Sequence, residues 1–190
     1  KRLEKMLLVF FAHADTGMLL DMGERIIEGH LPYVDFEEIN LPTILYMNAL
    51  VVGLSHLLNV NAILVYHLVT WVTLVYCVTI SYWLIQKLMP VRVAFYTALL
   101  PLMMVLLSIL FISTLFFGER EYLIILLFLV WFFLRWVRWN GGEIPAFAAY
   151  GVGFLACLAS SIKPYYLPMF LVPDLYWMFV KGFSWRMFTR

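Results

Sequence analysis

The sequence predicts an all-α integral membrane protein of about six transmembrane helices, with a large external first loop carrying two interfacial helices. Three observations lead there. The 190-residue chain is 64% hydrophobic and only 13% charged, whereas a soluble domain is about 45–50% apolar and about 25% charged. A soluble chain of this size could not bury so much apolar side chain, because much of its surface would still face water. Second, several apolar runs approach or exceed the roughly 20 residues needed to cross about 30 Å of hydrocarbon. Third, the scarce charges sort by side once those runs are taken as crossings. A soluble enzyme, a disordered chain, a nucleic-acid binder and a disulfide-built miniprotein are all excluded. Cys77 and Cys157 lie inside apolar runs and offer neither a disulfide framework nor a metal cluster.

The elements follow in order. Only Met6 to Ala12 is cleanly apolar before His13 and Asp15; seven residues reach about 10 Å, so residues 1–14 read as a short or truncated first span. Residues 15–60 form the external loop. Within it, Gly17 to Gly29 reads as an amphipathic helix, with Met18, Met22 and Ile26 on one stripe and Asp21, Glu24 and Glu28 on another. Arg25 stands in pairing distance of Asp21 and Glu28 along the helix, and Gly29 takes the C-cap place. The stripes predict a helix lying on the membrane with its acidic face in water.

Thr43 to Leu58 is short for a span, and charge decides its placement. If it lies in the interface, the inner face holds Lys1, Arg2, Lys5, Lys87, Arg92, Arg135, Arg138, Lys181, Arg186 and Arg190, and the outer face only Arg25, Arg120 and Lys163. A spanning placement would swap the later residues and leave fewer bases inside than outside. The positive-inside rule therefore favours the interface. Five further spans fill residues 62–180: Ala62–Gln86, Val93–Phe117, Tyr122–Trp139, Ile144–Ile162 and Tyr165–Val180. The third of these ends at the turn signal Asn140-Gly141-Gly142. The last is broken by Pro168 and Pro173. Trp136 and Trp139 beside Arg135 and Arg138 read as an inner belt from which the arginines snorkel. Both termini are then inside, and the whole is one transmembrane module, 1–190.

The same topology sends nine of the twelve acids outward: Asp15, Asp21, Glu24, Glu28, Asp35, Glu37, Glu38, Glu119 and Glu121. Four places carry candidate chemistry. Asp15, at the membrane boundary, is either an N-cap with Thr16 or a general base toward an acceptor hydroxyl. Gly118-Glu119-Arg120-Glu121 is either a short charged turn or a phosphate site, Arg120 offering a planar fork to phosphate oxygens. Lys163 is either a headgroup anchor or a second phosphate ligand. Asp174 is an intramembrane acid, functional by default, or else a member of a structural pair or close to the inner face.

The order of these parts resembles the N-terminal half of the C-type glycosyltransferases, and most of all the bacterial branch similar to protein mannosyltransferases and aminoarabinose transferases. A boundary acid opens a large external loop carrying Gly29-His30-Leu31-Pro32-Tyr33-Val34-Asp35-Phe36-Glu37-Glu38-Ile39-Asn40-Leu41-Pro42. Gly118-Glu119-Arg120-Glu121 is similar to a G-Q-R-E-H segment, with Glu119 for Gln and Tyr122 for His, and Lys163-Pro164 matches a K-P at the outer end of a later span. Members are usually much longer, so this chain resembles the N-terminal part of a longer enzyme or a degenerate copy. The resemblance implies sugar transfer from a polyprenyl-phosphate donor to a sugar, lipid or protein acceptor on the outer face of a bacterial inner (cytoplasmic) membrane. It implies Asp15 as catalytic base, Arg120 and Lys163 at the donor phosphate, and Asp35, Glu37 and Glu121 positioning the acceptor or a metal. Carboxylates alone suit magnesium or manganese. Membrane lipid is the surrounding partner, and no nucleic acid is expected. Two other classes stand beside this one: a small-solute transporter, motivated by Asp174 in a proline-broken helix, and a non-catalytic subunit bound to a partner membrane protein.

Overall fold

A computed structural model describes residues 14–99, 103 and 119–182. The expected first span at Met6–Ala12 and most of the expected span Val93–Phe117 lie outside them. The described residues are helical, without strands: α1 is Ala14–Ile27, α2 Pro42–Leu58, α3 Ala62–Ile85, α4 Val91–Ala98, α5 Arg120–Trp139, α6 Ala146–Ile162 and α7 Leu167–Lys181, with a 3₁₀ turn at Pro164–Tyr166. Two helices, α3 with 24 residues and α5 with 20, are long and apolar enough to cross a membrane. The described residues divide into two compact units, one of residues 14–73 and 119–122, the other of 74–99, 103 and 123–182.

The helix ends are written locally. Gly29 has φ +98°; its N–H donates to the Ile26 carbonyl at 3.0 Å, and the His30 N–H donates to that of Arg25 at 2.9 Å. That is a Schellman close to α1. Asn59, at φ 56°, ends α2 in the same way through Asn59 to His56 and Val60 to Ser55. Two residues later the Asn61 side chain accepts from the Ile63 N–H at 2.8 Å and starts α3. Gly141 closes α5 by the same device. Inside α3, the hydroxyls of Thr70, Thr73 and Thr79 donate to the carbonyls four residues back, so these polar groups are satisfied within an apolar helix.

In the first unit α1 packs on α2. The face α1 buries is Thr16, Leu19, Leu20 and Gly23; α2 answers with Ile44, Leu45, Asn48, Ala49, Val52 and Ser55. The Met18–Met22–Ile26 stripe, expected to lie on the membrane, is not the face packed on α2, and Met18 is exposed. Gly23 explains the choice. A Cβ there would stand 2.8 Å from the Asn48 carbonyl carbon and 2.9 Å from the Ala49 nitrogen, so the two backbones approach where only glycine fits. Leu20, Val52 and Tyr66 form a small core with Val51, Ala62 and Ile63 packed around it. On the acidic face of α1, Asp21 and Glu28 are exposed; Asp21 and Arg25 pair at 3.0 Å on the surface, and the half-buried Glu24 reaches His56 of α2 at 3.1 Å.

In the second unit α5 and α7 meet in parallel register. Phe128 and Trp131 pack edge-on against Phe170, Arg135 donates to Asp174 at 2.6 Å, and Trp139 stacks on Trp177 at 5.0 Å. Arg135 is therefore not snorkelling: it is 4% exposed and held by an acid of the neighbouring helix.

Candidate functional site

The loop between α1 and α2 is built on its own side chains. The Asp35 carboxylate accepts from the Leu31 N–H at 2.7 Å, and the Tyr33 N–H donates to the Phe36 carbonyl at 3.0 Å. Tyr33 takes φ +67°, a strained place for a bulky residue, at the tip of this turn. Leu41 precedes Pro42, which restricts it to extended backbone, observed at φ −69° and ψ 153°. Pro42 then opens α2 at its first position, where a missing N–H costs nothing. Asn40 is thereby fixed between the loop and α2. One Glu38 oxygen accepts from the Ile39 and Asn40 N–H groups, both at 2.8 Å, and from Asn40 Nδ2 at 2.5 Å.

Three segments far apart in sequence meet here. Arg120, the first residue of α5, donates through one terminal nitrogen to Asp15 Oδ2 and through the other to Asn40 Oδ1. Its side chain is 10% exposed and that of Asp15 43%. A buried guanidinium with one carboxylate and one amide on its fork is well satisfied, and the fork has five N–H donors in all. One residue on, the hydroxyls of Thr16 and Tyr66 are hydrogen-bonded to each other. Asp15 lies within α1 and serves Arg120; it does not cap a helix beginning at Gly17.

No family model, curated protein or solved structure matches this chain.

A groove of about 650 Å³ adjoins the loop, lined by Met18 and Met22 of α1 and by Tyr33, Glu37, Glu38 and Ile39. Its volume falls in the range of small-molecule sites, about 300–1,000 Å³. Asp15, Met18 and Met22 follow the i, i+3, i+7 spacing that places residues on one face of a helix. The half-exposed acid therefore stands one turn beyond the thioethers. Sequence reasoning found Asp15, Arg120 and Glu37 but gave no part to Asn40, Tyr33 or Glu38. The signal was weak: each sits in a loop whose fold depends on side-chain bonds.

The remaining expected residues are placed as follows. Asp35 holds its own turn and lies 3.9 Å from His30. Glu121 is half-buried beside Arg120 in the chain. Lys163 belongs to the second unit, its ammonium 5.7 Å from the Tyr165 ring centre. Asp174 is the structural partner of Arg135. Among the described residues no group of three or more His, Cys, Asp or Glu is placed to hold a metal ion.

Proposed function

We propose that this chain is a membrane glycosyltransferase module that transfers a sugar from a polyprenyl-phosphate donor to an acceptor on the outer face. The observation that carries the reading is the meeting of Asp15, Arg120 and Asn40. A proton acceptor and an anion-binding fork stand together at the end of an apolar helix and beside an open groove. The acceptor lies along Met18 and Met22, with Tyr33 and Glu37 beside it and its hydroxyl at Asp15. That hydroxyl gives its proton to the Asp15 carboxylate as its oxygen bonds to the anomeric carbon. The bond from that carbon to the phosphate oxygen breaks, and the electron pair leaves with the polyprenyl phosphate. Arg120 stabilises the charge that gathers on the phosphate. The motif resemblance assigns Glu121 to acceptor positioning.

In this reading the chain crosses six times, with both ends on the inner, basic side of a bacterial cytoplasmic membrane. The parallel register of α5 and α7 supports it, since α6 must return between them. α2 supports it too. The helix has no Asp, Glu, Lys or Arg, and Tyr46, Leu50, Leu54 and Leu57 form an exposed stripe along it, suited to an interface with lipid. Asp174, the residue that motivates the transporter reading, is paired with Arg135.

The test is sugar transfer in membranes, using a radiolabelled polyprenyl-phosphate sugar. Asp15→Asn is expected to lower turnover by about 10²–10⁴, the usual contribution of a general base, and Arg120→Gln by about 10²–10³. Equal transfer by wild type and Asp15→Asn would remove Asp15 from the role of base. No transfer by the wild type would overturn the function.

A further inference from the structure

Asn40 has four polar groups, and all four are engaged. Its Oδ1 accepts from Arg120. Its Nδ2 and its backbone N–H both donate to Glu38 Oε1, at 2.5 and 2.8 Å. Its carbonyl accepts from the Tyr33 hydroxyl. Tyr33 and Glu38 line the groove, while Arg120 holds Asp15. Asn40 is thus bonded both to the groove wall and to the cation that fixes the acid. Asparagine suits the place because it presents an acceptor and a donor on one short, rigid side chain. Aspartate would keep the acceptor for Arg120 but turn a like charge toward Glu38.

We infer that Asn40 is a positioning residue that latches the groove wall, through Tyr33 and Glu38, to the Asp15–Arg120 pair. The wall and the carboxylate are then held in one register, and loosening either end loosens the other. Arg120 lies 80 residues away in sequence, so the effect of its loss on the loop is a sharp test. The kinetic consequence rests on the glycosyltransferase reading; the structural one does not.

Two measurements on the full chain in lipid nanodiscs decide it. The first is amide hydrogen exchange over residues 31–41. Asn40→Ala and Asn40→Asp are each expected to speed exchange there about tenfold, the effect of losing one or two such bonds. Arg120→Gln should do the same, and the double variant should add little to the larger single effect, because both act on one latch. Tyr33→Phe removes a single arm and should give a smaller rise, which keeps the test open if the Asn40 variants fold poorly. Wild-type exchange in Arg120→Gln, or full additivity in the double variant, would overturn the latch. The second is transfer from a radiolabelled polyprenyl-phosphate hexose to an alkyl glycoside. Asn40→Asp should raise the KM for the glycoside about tenfold and change kcat less. A fall in kcat alone would overturn the positioning role. Should the wild type transfer nothing, the proposed reaction fails while the exchange result still decides the latch.

Discussion

Tyr33 shows how much a single side chain decides in this loop. Burial first, then the charges of Glu38 and Tyr46, push its hydroxyl above the usual 10.0. The neutral form, which donates to the Asn40 carbonyl, is the one the fold favours. The stabilisation it gives is therefore fully present below pH 10.0 and is lost as the pH rises through the raised value. A Tyr33 ring resonance, assigned by its disappearance in Tyr33→Phe, should titrate above that of a free tyrosine; titration at or below 10.0 would contradict the assignment. Asp15 and Arg120 show the same dependence on neighbours. Each is legible in the sequence as a charge flanking an apolar run, but only the structure makes them partners.

Between elements, two contacts set how the helices meet. At Gly23 the backbones of α1 and α2 leave no room for a Cβ. Gly23→Val should part the helices and cost about 1–3 kcal/mol of stability, read as a lowered unfolding midpoint in detergent; an unchanged midpoint would mean that the crossing relaxes freely. α5 and α7 are joined by Arg135 and Asp174, whose side chains are 5% and 18% exposed. Removing one member takes the opposite charge from a buried ion, so Arg135→Met or Asp174→Leu should cost about 3–5 kcal/mol. The double variant should regain most of that loss, because an apolar pair suits the site. A loss in the double equal to the sum of the two single losses would show that the pair is not coupled. The arrangement also explains why the belt reading of Arg135 failed: an arginine that finds a carboxylate on the next helix has no reason to reach for the headgroups.

At the scale of the molecule the question is which side each loop faces. Glu28 and Glu143 are both exposed and fall on opposite sides in the six-crossing topology. In a Cys77→Ser, Cys157→Ser background, Glu28→Cys should react with an impermeant maleimide from outside. Glu143→Cys should react only once the membrane is opened. Labelling of both from one side would exclude three crossings between them.

Much of the architecture is legible without the structure because its causes are local. α3 matches the expected Ala62–Gln86 span to within a residue, since apolar length alone fixes it. The ends of α1 and α5 were marked by Gly29 and Asn140-Gly141-Gly142, whose backbone freedom acts within one turn. The candidate site was only half legible. Asp15, Arg120 and Glu37 announced themselves as charges in an apolar chain, whereas Asn40 is an ordinary loop residue by type. Its importance comes from Arg120, which reaches it and Asp15 across 80 and 105 residues of sequence. The face on which α1 packs was decided in the same way, by the fit of Gly23 against the α2 backbone. Composition and local backbone chemistry determined that this chain is made of apolar helices and where several of them stop. Which charges neutralise one another, and which helix faces meet, depended on close packing between distant segments, and that only the tertiary structure decided.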